Sequence, residues 1–279
     1  MITTEKSCVY GGNFSLSVDL SSVKEGLEYI LSHFDCDNDQ PAWPRTISTK
    51  LTEGRQMTVN SKQEALNYYA TADFLDCKIS GYPKYKKGFT KIAPSLIFID
   101  LDQAKERKIL DTQLENTLQN IKMVFGNNEF KPTVLWSGKG YHIYIPVTGF
   151  VLENEEIFQV AINPSRKFLQ WSEQYLSCNK ADPCHTIGLS FNNCMLRIPN
   201  SINSKSNQQV RLIQSWNGVT DPNTLITTNT EPIRPSIRPL LYEFYIHLAD
   251  LKFNEIIGNK IKIRRGTSNS KYSRYWNDK

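Results

Sequence analysis

The sequence predicts an α+β fold in which an antiparallel sheet is covered by helices, and three observations carry that expectation. Residues Leu96–Leu101 form an apolar run of β-formers that ends in the acidic pair Asp100 and Asp102. Residues Lys105–Phe125 repeat apolar side chains at helical spacing, and Gly126 follows as a stop. Two further β-rich segments, Thr133–Trp136 and Tyr141–Val147, are joined by the tight turn Ser137-Gly138-Lys139-Gly140.

Taken in order, the elements begin with a helix capped by Ser21 or Ser22 and running to about Phe34. Val23, Leu27, Ile30, Leu31 and Phe34 lie on one of its faces. Ser61 caps a second helix reaching about Leu75, with Glu64 at the third helical position of a capping box. The Gln40–Pro44 segment breaks any regular element. The run rich in β-formers at Leu96–Leu101 reads as a buried strand. In the Lys105–Phe125 helix the apolar face is Ile109, Leu110, Leu114, Leu118, Ile121, Val124 and Phe125. Beyond the hairpin, a helix is expected at about Ser165–Ser177, strands at Cys194–Ile198 and Val210–Trp216, and a last helix at about Leu240–Leu251 after the proline-studded Glu231–Pro239 connector. The β-α-β-β order is the first part of a ferredoxin-like, or RRM-like, sheet. The expected organisation is an N-terminal α/β module (1–90) packed on a catalytic RRM-like core (91–230), then a C-terminal helix and basic tail (231–279).

Composition limits the functional classes. With 39% hydrophobic and 22% charged residues in 279, the chain is globular and long enough for a sizeable core. No apolar run approaches the ~20 residues that span a bilayer, and the first residues lack the apolar core of a secretory signal, so a cytoplasmic, membrane-free location is expected. The six cysteines are dispersed and are expected to be reduced thiols. A net charge of +5 is compatible with a polyanionic partner. Cations interleave with aromatics at Tyr82–Gly88 and at Ile261–Lys279, a pattern suited to base stacking with phosphate binding.

Asp100 and Asp102 stand two apart on a strand and therefore project together. Neighbouring carboxylates repel, and a hard divalent cation, Mg²⁺ or Mn²⁺, removes that repulsion. D-x-D after an apolar strand also begins some phosphatases related to haloacid dehalogenases. Those have Thr or Val two residues after the second Asp, where this chain has Ala104. In the turn, Gly138 and Gly140 allow amide groups to converge on an anion, Ser137 adds a hydroxyl and Lys139 a charge. His142 lies on the strand face opposite Tyr141 and Ile143, alongside Tyr144. A triphosphate held there would lie over the face that bears the two aspartates. No P-loop, dinucleotide fingerprint or Ser-His-Asp pattern is present. His247 and both tyrosines are expected to be packing residues.

Farther along, Ala181-Asp182 is followed by Arg197-Ile198-Pro199-Asn200-Ser201-Ile202-Asn203-Ser204-Lys205. With Phe98-Ile99-Asp100-Leu101-Asp102 and Ser137-Gly138-Lys139-Gly140-Tyr141-His142, these segments resemble the three motifs and the trailing Arg-Pro-Ser-Lys segment of the archaeo-eukaryotic primase superfamily. The resemblance covers about Ser95–Trp216, with Asn200 where glycine is frequent in the family. It implies that Asp100, Asp102 and Asp182 hold two divalent ions, and that Ser137, Lys139, His142, Arg197 and Lys205 bind the phosphates of the incoming nucleotide. Asp111, Asp221 and Asp250 are alternatives to Asp182 by residue type; Asp182 is favoured by its position before the Arg-Pro-Ser-Lys segment.

The function implied is a DNA-dependent primase-polymerase, a nucleotidyltransferase that makes primers or extends strands by two-metal catalysis. Its partners would be a single-stranded DNA template, a primer strand and nucleoside triphosphates, with a helicase or accessory domain in a longer polypeptide. The alternatives are a non-catalytic nucleic-acid-binding or replication-initiation module and an end-joining or repair polymerase. Many primases carry zinc between the second and third motifs. Cys178, Cys184, His185 and Cys194 lie in that region, but their spacing is not C-x-x-C and Asp182 falls among them, so zinc is not expected. His33 and Cys36 lack a second half-site.

Overall fold

The computed structural model describes residues 18–34, 43–84, 91–92, 95–102, 106–126, 129–152, 163–216 and 231–268, with side chains of the last segment described to 255 and at 257. The class is α+β, with antiparallel sheets. Tyr85–Gly88, Cys36, Asp221 and the side chains of the basic tail from Ile261 lie outside the described residues.

The N-terminal part opens with helix α1 (Leu20–Leu31). Its cap is Asp19 rather than Ser21 or Ser22: the Asp19 carboxylate accepts from the Ser22 N–H at 2.7 Å, and Ser21 and Ser22 already lie in the first turn. Strands β1 (Arg45–Ser48), β2 (Met57–Val59) and β3 (Lys78–Ser80) follow, with helix α2 (Lys62–Thr71) between the last two. Ser61 caps α2 as expected, by accepting from Glu64 N–H at 3.1 Å, and the Glu64 carboxylate reaches back to Asn60 N–H at 2.7 Å. The helix ends at Thr71, not at Leu75. Residues Asp73, Phe74 and Asp76 then turn through positive φ of 49°, 59° and 53°.

The second part contains the expected hairpin and helix. After the short β4 (Lys91–Ile92) come β5 (Leu96–Leu101), α3 (Arg107–Phe125), β6 (Thr133–Trp136) and β7 (Tyr141–Pro146). Gly126, at φ 62°, closes α3. Ile109 is 48% exposed, so it is not part of the buried face of α3, which is built from Leu110, Thr117 and Ile121. Strand β8 (Val151–Leu152), helices α4 (Pro164–Leu176) and α5 (Pro183–Gly188), strands β9 (Met195–Arg197), β10 (Ile202–Asn203), β11 (Gln208–Gln209) and β12 (Arg211–Gln214), and helix α6 (Arg238–Ser268) complete the chain.

Two four-stranded sheets, ordered β2-β1-β3-β9 and β12-β6-β7-β5, organise the molecule. Strand β9 supplies the fourth strand of the first sheet, beside β3. In the second sheet β7 pairs antiparallel with both β5 and β6, and α3 links β5 to β6. Among the described residues no strand pairs with the other edge of β5. Here Asp182 occupies the edge, donating its N–H to the Asp100 carbonyl at 2.9 Å, while β12 pairs with β6 instead.

Packing on both faces explains the non-alternating apolar run of β5. Ile97, Ile99 and Leu101 pack with Val134, Ile143, Leu110 of α3, Phe168 of α4 and Phe244 of α6. Leu96 and Phe98 pack in the other direction, with Leu135, Tyr144, Ile79, Leu196 and α1. His33 is fully buried at this interface, with Nδ1 at 2.9 Å from the Tyr29 carbonyl and Nε2 at 2.8 Å from the Thr133 hydroxyl. Asp100 and His142 are direct partners on the second face, and residues of both sheets line one cleft beside them.

Candidate active site

The cleft is a cavity of about 360 Å³. Phe98, Asp100, Asp102, Ser137, Lys139 and His142 line it from the second sheet, and Ser48, Gln56 and Lys78 from the first. Arg197 comes from β9, Asn203 from β10 and Lys205 from the turn after it, and Cys184 and His185 from α5. Seven of the eight residues singled out in the sequence therefore share one wall-to-wall space. Asp182 is not on the cavity wall; it stands on the β5 edge beside Asp100, and its carboxylate accepts from Cys184 N–H at 3.0 Å to cap α5. Of the alternatives, Asp250 is exposed on α6. Asp111 is engaged by Arg107 Nε at 2.8 Å and the Tyr141 hydroxyl at 2.7 Å.

The carboxylates are electrostatically loaded. Burial pushes Asp100 up to about 7, with Asp102, Glu173 and Asp182 adding to the rise and His185 opposing it. Its Oδ1 is buried without a hydrogen-bond partner; His142 Nε2 approaches it at 3.5 Å without making a bond. Asp102 is raised by burial and by Asp182, against Lys139, His185 and Lys205. An unpaired buried carboxylate oxygen beside two further carboxylates is a costly arrangement that a hard cation relieves. The donor set therefore fits Mg²⁺ or Mn²⁺. Among the described residues, however, no three His, Cys, Asp or Glu side chains already converge as a closed ligand set. Cys178, Cys184, His185 and Cys194 do not converge either: Cys194 is buried, its thiol pushed up by burial, while Cys178 and Cys184 are exposed.

The turn is held against the aspartates by contact. A Cβ on Gly140 would lie 2.6 Å from Asp102 Cβ and closer still to the Leu101 carbonyl oxygen. Gly138 adopts φ 97°, a conformation that favours glycine. The Ser137 hydroxyl accepts from Gly140 N–H at 3.2 Å, so it closes the turn as well as lining the cavity. Lys139 is exposed at the tip. His142 is paired directly with Asp100 across β5 and β7. Burial, with Arg197, His185 and Lys78 nearby, holds it neutral, well below its ordinary value. The Tyr144 hydroxyl accepts from Arg197 N–H at 3.0 Å and lies 3.1 Å from His142 Nδ1. With Nδ1 accepting from that hydroxyl, a neutral imidazole carries its proton on Nε2, the nitrogen nearer Asp100. Any contact of His142 with an anion is therefore through an N–H dipole rather than a full charge.

Asn200 has φ 68°, a left-handed backbone that asparagine is among the few side-chain-bearing residues to tolerate.

Two cavity-side residues escaped the sequence reading. Lys78 lines the cavity and is directly opposite Arg197 across β3 and β9; burial, then Arg197, lowers its pKa. Glu173 is fully buried on α4 and takes both the Asp100 N–H at 3.0 Å and His185 Nδ1 at 2.7 Å on Oε1. Burial alone would lower His185, but Glu173 and then Asp100 and Asp182 raise it. A signal for Glu173 was present: it falls on the buried stripe Phe168, Leu169, Ser172 and Leu176, where an apolar residue is expected. Glu173→Ala would strand a buried N–H and the His185 ring. The expected cost is about 2–3 kcal/mol, read as a lower denaturant midpoint. A variant as stable as wild type would show that Glu173 does not secure the end of β5.

No protein-family model matches the chain, and no curated protein matches it. Among solved structures, the chain is similar to the catalytic domain of primase RepB' in complex with initiator DNA, at 15% identity and TM-score 0.41 over 74% of this chain and 92% of that one. It is similar to the AEP domain of the cyanophage S-2L primase-polymerase, at 10% identity and TM-score 0.42 over 76% and 98%. It is also similar to the polymerase domain of Mycobacterium tuberculosis ligase D in complex with DNA, at 14% identity and TM-score 0.39 over 75% and 86%. Likeness of this degree specifies no chemistry.

Proposed function

We propose that the chain is a divalent-metal-dependent nucleotidyltransferase of the primase-polymerase type that works on a DNA template. One observation carries the reading. The buried, unpartnered Asp100 oxygen, with Asp102 and Asp182 beside it, faces Lys78, Lys139, Arg197 and Lys205 across a single cavity. Carboxylates and cations lining one space suit the mixed charge of a metal-bound nucleoside triphosphate.

Asp100, Asp102 and Asp182 would hold Mg²⁺ or Mn²⁺, which when bound supplies Lewis-acid activation of the attacking hydroxyl and charge neutralisation at the phosphates. The remaining groups bind and orient. The Gly138–Gly140 backbone, Ser137, Lys139 and the His142 Nε2–H would fix the triphosphate over the sheet, with Arg197 and Lys205 on its other side. In the transfer, the bond from the 3′-oxygen to the α-phosphorus forms as the bond from that phosphorus to the bridging oxygen breaks, and the cations offset the charge gathering on pyrophosphate. The Glu173–His185 pair holds the Asp100 end of β5 in place.

The test is incubation with a single-stranded DNA template, labelled nucleotides and Mn²⁺, with and without an annealed primer. Template-dependent product is expected. Product without primer assigns de novo priming, and product from the primer alone assigns extension. Tight template binding with no product in either case would replace the enzyme with a non-catalytic nucleic-acid-binding module.

A further inference from the structure

The cationic side of the cavity has an internal problem. Lys78 and Arg197 are direct partners across β3 and β9, and like charges opposed in this way repel. Both side chains are largely withdrawn from water; the Arg197 side chain is 11% exposed. A group must hold the guanidinium and offset this repulsion before any substrate arrives.

We infer that Asp76 is a positioning residue for the anion-binding half of the site, fixing Arg197 and the following loop without contacting substrate itself. The inference rests on the nucleotide-site reading above. Asp76 is absent from the cavity wall, yet its Oδ1 accepts from Arg197 Nη1 at 3.1 Å and from Ser204 N–H at 3.2 Å, while its Oδ2 accepts from the Ser204 hydroxyl. Its own N–H donates to the Ile202 carbonyl at 2.8 Å. One carboxylate thus ties the residue before Cys77 and Lys78 to both ends of the segment that carries Arg197 and Lys205. The far end of that segment is tied in turn to the glycine turn. Asn203, 2% exposed, donates from Nδ2 to the Ser137 carbonyl at 2.7 Å and accepts Lys205 N–H on Oδ1 at 3.1 Å. The left-handed φ of Asp73, Phe74 and Asp76 is the backbone strain by which the chain aims this carboxylate.

The inference has a sign that separates it from simple electrostatics. Removing a negative charge beside a cationic cavity strengthens anion binding if charge alone matters, and weakens it if Asp76 organises the cations. The experiment measures inorganic tripolyphosphate binding by titration calorimetry, with nucleotide KM and kcat in the extension assay and thermal unfolding as a parallel readout. Asp76→Ala is expected to weaken tripolyphosphate about tenfold and to raise KM by a similar factor, with kcat within about threefold of wild type. Asp76→Asn, which keeps one acceptor oxygen and the side-chain shape but loses the charge, is expected to restore part of the affinity and to fall between Asp76→Ala and wild type. Ser204→Ala, which leaves the charge and loosens its anchor, is the arm that stands if Asp76→Ala does not fold. It is expected to weaken tripolyphosphate about threefold. Unchanged or tighter binding in Asp76→Ala, or wild-type affinity in Ser204→Ala, overturns the positioning role while leaving the nucleotide site intact. A wild-type protein that ignores tripolyphosphate overturns both.

Discussion

Asp100→Asn is expected to give a protein that is more stable than wild type in the absence of metal and inactive in its presence. The argument is one of linkage. The folded-state pKa of Asp100 is pushed up to about 7 from an unfolded value of 3.8. Between these values the folded protein binds the extra proton, so the stabilisation is fully present below the unfolded pKa and is lost as pH rises through about 7. Above pH 7 the buried charge therefore costs on the order of 4 kcal/mol relative to the neutral side chain. The asparagine variant is free of that loss. In metal-free buffer, the unfolding temperature of wild type relative to Asp100→Asn should fall between pH 5 and pH 8, and added Mn²⁺ should raise that of wild type alone. On the proposed assignment, the same substitution should lower nucleotide incorporation by about a thousandfold or more, because it would remove a metal ligand that balances charge in the transition state. Parallel pH profiles for the two proteins would show that Asp100 does not carry the burial strain assigned to it.

Gly140→Ala is the second large expected effect, and it acts through shape. The added methyl would meet the Leu101 carbonyl oxygen and would lie 2.6 Å from Asp102 Cβ and 2.8 Å from Asp102 Cα. Much of the obstruction is main chain, so no rotamer change clears it. Overpacking of this kind costs about 1–3 kcal/mol. The turn must also lift from the aspartates, which separates the Ser137–His142 donors from the carboxylates they complement. A loss of about a hundredfold in nucleotide use is expected, since small displacements of positioning groups are expensive. Steady-state kinetics and thermal unfolding read the two parts separately. A variant with normal KM and unfolding temperature would mean that the turn does not rest on Asp102 in solution.

What the chain makes legible locally, it makes legible well. Strand β5, the β6–β7 hairpin and helix α3 are set by side-chain periodicity and by Gly126, which are short-range signals. The Ser61 cap is equally local. The Asp19 cap was harder because Asp19, Ser21 and Ser22 are all good caps by type, and the choice depends on which carboxylate or hydroxyl reaches a free N–H. Non-local pairing left no trace: the three residues of β9 complete a sheet whose other strands lie more than a hundred positions earlier. The same holds for the site. Asp100, Asp102, Ser137, Lys139 and His142 come from one β-α-β-β unit, whose geometry can be read from alternation alone. Lys78, Asp76 and Glu173 enter from elsewhere, as charged residues that resemble solvent-facing ones until the sheets close over them.

The central claim is that a divalent cation belongs among Asp100, Asp102 and Asp182. Its most direct test is Mn²⁺ titration followed by electron paramagnetic resonance, with wild type compared against Asp100→Asn and Asp182→Asn. The account predicts loss of the free Mn²⁺ signal with saturable stoichiometry in wild type, tightened by nucleoside triphosphate, and at least tenfold weaker uptake in both variants. Equal, non-saturating uptake by all three proteins would contradict it.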